Sequence, residues 1–129
     1  MSQYIFIYGT LRPGLAPDEI ARAMQSLKPV GEGSVAGMLY DLGAYPGAVV
    51  DATADSRILG TVFELPEDAS ALPEMDRYEG FNPENEAESL FLRVKHTVKL
   101  SDWRTIECWI YVYNLEPAGA RVIADGRFS

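Results

Sequence analysis

Cysteine occurs once in these 129 residues, at Cys108, and histidine once, at His96. A single cysteine rules out an internal disulfide, and one of each residue leaves too few ligands for a structural zinc site. Long apolar runs are missing as well. Nothing approaches the ~20 residues of a membrane span, and Met1-Ser2-Gln3-Tyr4 lacks the basic start of a secretory signal. Positive charge is scarce, with 11 Lys and Arg against 19 Asp and Glu and a net charge of −8. The clustered cations that grip a nucleic-acid backbone are therefore absent. No repeat, low-complexity tract or linker interrupts the chain. Together these absences predict a single domain over residues 1–129, soluble and cytoplasmic, with neither membrane nor nucleic acid among its partners.

What is present has ordinary globular proportions, 47% hydrophobic and 23% charged. A chain of this size buries roughly two-thirds of its unfolded surface around one core. Residues 4–8, YIFIY, form a short apolar run too brief for a helix and suited to a strand buried on both faces. Pro17-Asp18-Glu19 marks a helix start, and Ile20, Met24 and Leu27 recur at helical spacing up to Pro29. SVAGMLYDL, AYPGAVV and ILGTVFEL, between residues 34 and 65, are extended segments separated by turn-forming residues.

Pro66-Glu67-Asp68 and Pro73-Glu74 both resemble helix starts, predicting one helix or two short segments over 67–78 that end before Gly80. In FLRVKHTVKL, Leu92, Val94, Val98 and Leu100 share a face with His96, opposite Arg93, Lys95, Thr97 and Lys99. TIECWIYVYN is apolar on both parities, as a central or barrel strand is. About six strands with short flanking helices predict an α+β domain, a small mixed β-barrel or strongly curved sheet.

Two stretches carry candidate chemistry. Gly9-Thr10-Leu11-Arg12-Pro13-Gly14 matches the first half of a phosphate loop, but Leu15 and Ala16 stand where Lys and Ser or Thr are needed. That leaves a strand ending in Tyr8-Gly9-Thr10, readable as a plain turn or as a nest of backbone N–H groups facing an anion. In Asp76-Arg77-Tyr78-Glu79-Gly80-Phe81, acids sit at a helix end between aromatics. Glu79, flanked by Tyr78 and Phe81, is either a solvated acid or a carboxylate whose pKa rises through desolvation. Alone, His96 reads as a barrel residue, Cys108 as buried packing, Glu84, Glu86 and Glu88 as a solvated acidic loop, and Trp109, Tyr111 and Tyr113 as core.

Taken in order, YGTL near the amino terminus, LYDLGAYPG in the middle, MDRYEG before an aromatic-x-Arg strand, and WIYVYN resemble the γ-glutamylcyclotransferase-like family, which includes γ-glutamylamine cyclotransferases and AIG2-like proteins. The resemblance covers nearly the whole chain. It implies a small mixed barrel in which Tyr8, Gly9, Thr10 and Leu11 form the substrate-binding loop and Glu79 is the catalytic acid-base residue. It implies cyclisation of a small-molecule γ-glutamyl amide or peptide to 5-oxoproline with release of the amine, using no cofactor and no metal. The same barrel could instead serve as a non-catalytic small-molecule or protein-binding module. Phe91 departs from the tyrosine many relatives carry at the start of its strand, while Arg93 keeps the basic residue. The acidic segment 82–89 reads either as a distinct rim or flap or as a solvated loop. On this reading an ordinary Glu, near ~4.3, is a poor base for an amine near ~8, so burial has to lift Glu79 towards ~6 to 7.

Overall fold

The computed structural model describes residues 3–8, 24–42, 46–67, 71–115, 120–123 and 126. Within them the chain runs through β1 (Tyr4–Ile7), β2 (Lys28–Asp41), β3 (Pro46–Val50), β4 (Arg57–Glu64), α1 (Ala71–Glu79), a 3-10 turn (Glu86–Glu88), β5 (Phe91–Leu100), β6 (Thr105–Tyr113) and β7 (Arg121–Val122). The strands follow the order β3-β2-β4-β1-β6-β5, and a β2–β5 pairing closes β2, β4, β1, β6 and β5 into a barrel. β1 and β6 are parallel, with Ile5 opposite Trp109, and the remaining pairs are antiparallel. The result is the small mixed barrel the sequence predicts, with β3 and β7 as additions on β2.

Strand alternation divides the apolar residues into two cores. Phe6, Val35, Leu39, Ile58, Val62, Val98, Cys108 and Ile110 fill one cluster. The residues of opposite parity on β1 and β6, among them Ile5, Ile7 and Tyr111, pack with Leu72 and Met75 of α1 and with Phe81 and Phe91 in the other. This is why YIFI and CWIYVY are apolar at every position: β1 and β6 are covered on both faces. Each fully buried Ile, Leu, Phe or Val contributes about 1.5–3 kcal/mol.

The differences from expectation have local causes. The helix anticipated up to Pro29 ends sooner: Met24 and Gln25 are helical, and β2 begins at Lys28 with Pro29 inside it. Pairing with β4 claims this segment, and the register shifts between Pro29 and Gly31, where proline cannot donate to the ladder. The start of that helix lies outside the described residues. Of the two proline-headed starts, Pro73 falls in the first turn of α1, where its missing N–H costs nothing. Pro66 and Glu67 precede the helix as coil and turn. β7 was not anticipated, because two residues carry no periodicity. Among the described residues no helix is long and apolar enough to cross a membrane.

Candidate active site

The site is built at the carboxyl end of α1. Gly80 has φ 74°, the left-handed region that glycine enters without strain. Its N–H donates to the Arg77 carbonyl at 3.3 Å, and the Phe81 N–H to the Asp76 carbonyl at 2.8 Å. These are the two bonds of a Schellman cap, with Gly80 at C′ and Glu79 the final helical residue. The cap turns the chain so that Phe81 enters the core between α1 and the barrel, leaving Glu79 half-buried above it.

A polar network ties this helix end to the barrel wall. Asp76, three residues before Glu79 and itself buried, accepts from Arg93 Nε at 2.8 Å and Nη2 at 3.2 Å, and from the Tyr111 hydroxyl at 2.6 Å. A two-pronged guanidinium–carboxylate pair is among the strong, geometrically specific hydrogen bonds. The Arg93 guanidinium carbon lies 4.4 Å from the Trp109 ring centroid and 5.7 Å from that of Phe81. The indole N–H of Trp109 donates to Gln3 Oε1 at 2.8 Å. Tyr8, immediately after β1, donates its hydroxyl to the Tyr111 carbonyl and accepts from the Ala48 N–H at 3.4 Å. Four elements thus meet here: the end of β1, α1, β5 and β6.

Burial pushes the Glu79 carboxyl up to about 7. The Tyr8 hydroxyl is held well above its usual range, first by burial and then by the Glu79 charge, with the Ala48 amide opposing. Tyr111 is raised by burial, by its hydrogen bond to Asp76 and by the Asp76 charge; Arg93 opposes and Glu79 adds to the rise. Glu79 is therefore electrostatically coupled to both phenols. A carboxyl near neutrality can exchange a proton with a substrate at physiological pH, which an ordinary glutamate does poorly.

Of the residues singled out in the sequence, Tyr8 and Glu79 are placed near enough for the Glu79 charge to act on the Tyr8 hydroxyl. Gly9, Thr10 and Leu11 lie outside the described residues. Asp76, Arg93 and Tyr111 were not assigned to the site from sequence. The usable signal was the spacing of Asp76 and Glu79, which puts both carboxylates on one helix face. Phe91, the departure from the usual tyrosine, is buried and packs edge-on against Tyr113 at 5.5 Å.

The remaining candidates are placed elsewhere. Cys108 is buried in the barrel, and its thiol is pushed up to about 12, by burial and then by Glu107. His96 is partly buried on β5. Glu84, Glu86 and Glu88 are exposed on a loop closed at its base, where Leu90 N–H meets the Gly80 carbonyl at 3.0 Å and the Asn114 amide reaches the Ser89 carbonyl at 2.9 Å. A groove of about 490 Å³ on another part of the surface contains none of the site residues. Its charged side chains already have partners: Glu32 accepts from Thr61, Arg57 donates to Ser34, and Lys99 lies 4.2 Å from the Trp103 ring.

The same fold is found in solved structures of distant sequence. YkqA of Bacillus subtilis matches with a TM-score of 0.71 at 20% identity over 99% of this chain, which spans only 40% of that protein. An aig2-like protein of Mus musculus matches with a TM-score of 0.66 at 19% identity, covering 90% of this chain and 80% of the other. The solution structure of ytfP from Escherichia coli gives 0.64 at 24% identity, covering 98% and 96%. No curated protein matches the chain. The family model described as "Gamma-glutamyl cyclotransferase, AIG2-like" matches residues 5–129, and the chain, with its closed barrel and capped helix end, belongs to that family.

Proposed function

We propose that this protein is a cofactor-independent γ-glutamyl cyclotransferase that closes a γ-glutamyl amide or peptide to 5-oxoproline and releases the amine, with Glu79 carrying the proton. The observation that carries this reading is a half-buried Glu79 whose carboxyl lies near 7, coupled to Tyr8 at the end of β1. The binding loop, Tyr8-Gly9-Thr10-Leu11, begins at that point.

The reaction needs three things of the protein. The substrate must fold so that its own α-amine meets its γ-carbonyl carbon, a positional gain worth effective molarities of about 10^5 M or more in favourable cases. The ammonium must lose a proton to Glu79, whose carboxyl near 7 leaves a gap of only about one unit, roughly 1.4 kcal/mol, to an amine near ~8. The new C–N bond then forms, Glu79 returns the proton to the departing nitrogen as its bond to the carbonyl carbon breaks, and the second proton shed by the ring nitrogen, taken up in turn by Glu79, leaves with the amine as its ammonium. No water is consumed. Backbone N–H groups of the binding loop would serve either the substrate carboxylate or the oxyanion.

The test is release of 5-oxoproline from a panel of γ-glutamyl amides, with Glu79→Gln alongside. The expected result is turnover by the native protein and a loss of at least ~10^2 in rate for a folded Glu79→Gln. Normal turnover by that variant would remove Glu79 from this role. Tight ligand binding without 5-oxoproline release would favour the binding module instead.

A further inference from the structure

The phenols of Tyr8 and Tyr111 lie near enough to Glu79 to feel its charge, and each has a single O–H to donate. The Tyr8 proton goes to the Tyr111 carbonyl, and the Tyr111 proton goes to Asp76 Oδ1 at 2.6 Å. Neither hydroxyl therefore donates to Glu79. The arrangement at Tyr111 is not forced by reach alone. Asp76 and Glu79 are three residues apart on one helix face, a spacing of about 5–6 Å between such side chains, so a phenol seated on one is close to the other. What favours Asp76 is Arg93, which orients that carboxylate through Nε at 2.8 Å and Nη2 at 3.2 Å. Arg93 is itself set by the faces of Trp109 and Phe81.

We propose that Asp76 and Arg93 are positioning residues that hold the Tyr111 hydroxyl proton away from Glu79 and so preserve its strength as a base. The proposal rests on Glu79 being the proton carrier. A hydroxyl donating to a carboxylate stabilises its charged form and lowers its pKa, which would undo the effect of burial. The groups in play are Tyr8 at the end of β1, Asp76 with its neighbours Arg77 and Tyr78 on α1, Arg93 on β5 and Tyr111 on β6. Their common effect is to leave the Glu79 carboxyl desolvated without a phenolic donor.

The test follows the Glu79 side-chain carboxyl by ¹³C NMR titration, alongside the pH profile of kcat/KM. Replacing both charges together, Asp76→Leu with Arg93→Met, avoids an unpaired buried ion and frees the Tyr111 hydroxyl. The Glu79 midpoint is expected to fall, with an about tenfold stronger acid as the scale of the effect, and the acid limb of the profile to move with it. Adding Tyr111→Phe removes the freed donor and is expected to restore the native midpoint. Tyr111→Phe alone, which removes a hydroxyl that donates to Asp76 in the native protein, is expected to leave the midpoint in place.

An unchanged midpoint in the folded double variant, or no restoration in the triple, overturns the proposal. If the double variant does not fold, Asp76→Ala, which leaves no acceptor for the phenol, compared with Asp76→Ala plus Tyr111→Phe isolates the hydroxyl, and identical midpoints overturn the proposal. The titration does not depend on turnover. Absence of 5-oxoproline with a midpoint that moves as described would reject the catalytic reading while the positioning effect stands.

Discussion

At Glu79, stability and chemistry pull in opposite directions. In the unfolded chain its carboxyl titrates near 4.5; in the folded protein burial moves it to about 7. Between those values the folded state holds a proton that the unfolded state has released. The stabilising contribution is thus complete below 4.5 and is lost as pH rises to 7, about 3 kcal/mol in all. Glu79→Gln cannot release that proton. Denaturant unfolding at a series of pH values is expected to show native stability falling relative to Glu79→Gln across this window, then running parallel above it. Activity should follow the opposite course, with kcat/KM rising through about 7 as the base form appears. A variant more stable and less active above neutrality is the pattern expected where a site stores desolvation strain.

The element that presents Glu79 is α1, and its cap does the aiming. Gly80 holds φ 74°, and a Cβ built there would approach Leu90 Cβ at 3.2 Å. Gly80→Ala therefore combines a left-handed alanine, costing roughly 1–2 kcal/mol, with a tight contact at the base of the acidic loop. A Tm lowered by several degrees and a larger loss in kcat/KM than in stability are expected, because the last helical residue moves with the cap. Thermal unfolding and steady-state kinetics on the same preparation check both. This cap was legible beforehand: a glycine after a helical run that contains a proline in its first turn is a strong stop signal. The two-faced burial of β1 and β6 was legible too, because apolar residues on both parities leave no face for water. The end of the first helix was not, since Met24 and Leu27 fit a helical spacing but β2 takes the chain from Lys28 onward.

At the scale of the whole molecule, the barrel closes through few contacts. β2 meets β5 at Gly33 opposite Leu100 and Ser34 opposite Lys99. A Cβ at Gly33 would lie 2.8 Å from Val98 Cγ1 and 3.1 Å from the Lys99 carbonyl, so closure here requires glycine. Gly33→Val is expected to destabilise the fold by about 1–3 kcal/mol or more, the usual cost of overpacking, since the contact includes backbone. A lower denaturation midpoint, together with faster amide exchange in β5, checks this; exchange at native rates along the β2–β5 seam would show that closure tolerates the side chain. Because β5 carries Arg93, loosening the seam is transmitted to Asp76 and hence to α1.

The residues by themselves determined the strand pattern, the helix stop at Gly80 and the candidacy of Glu79, because alternation, capping and aromatic flanks are local properties of neighbouring side chains. Only the tertiary structure decided that Tyr8, Arg93 and Tyr111 gather at the helix end that carries Asp76 and Glu79. They come from separate elements, and barrel closure places them within hydrogen-bonding reach of one another. The physical reason is that a carboxyl's pKa depends on how much water the rest of the chain excludes and on where nearby hydroxyl protons are held, neither of which is written in adjacent residues.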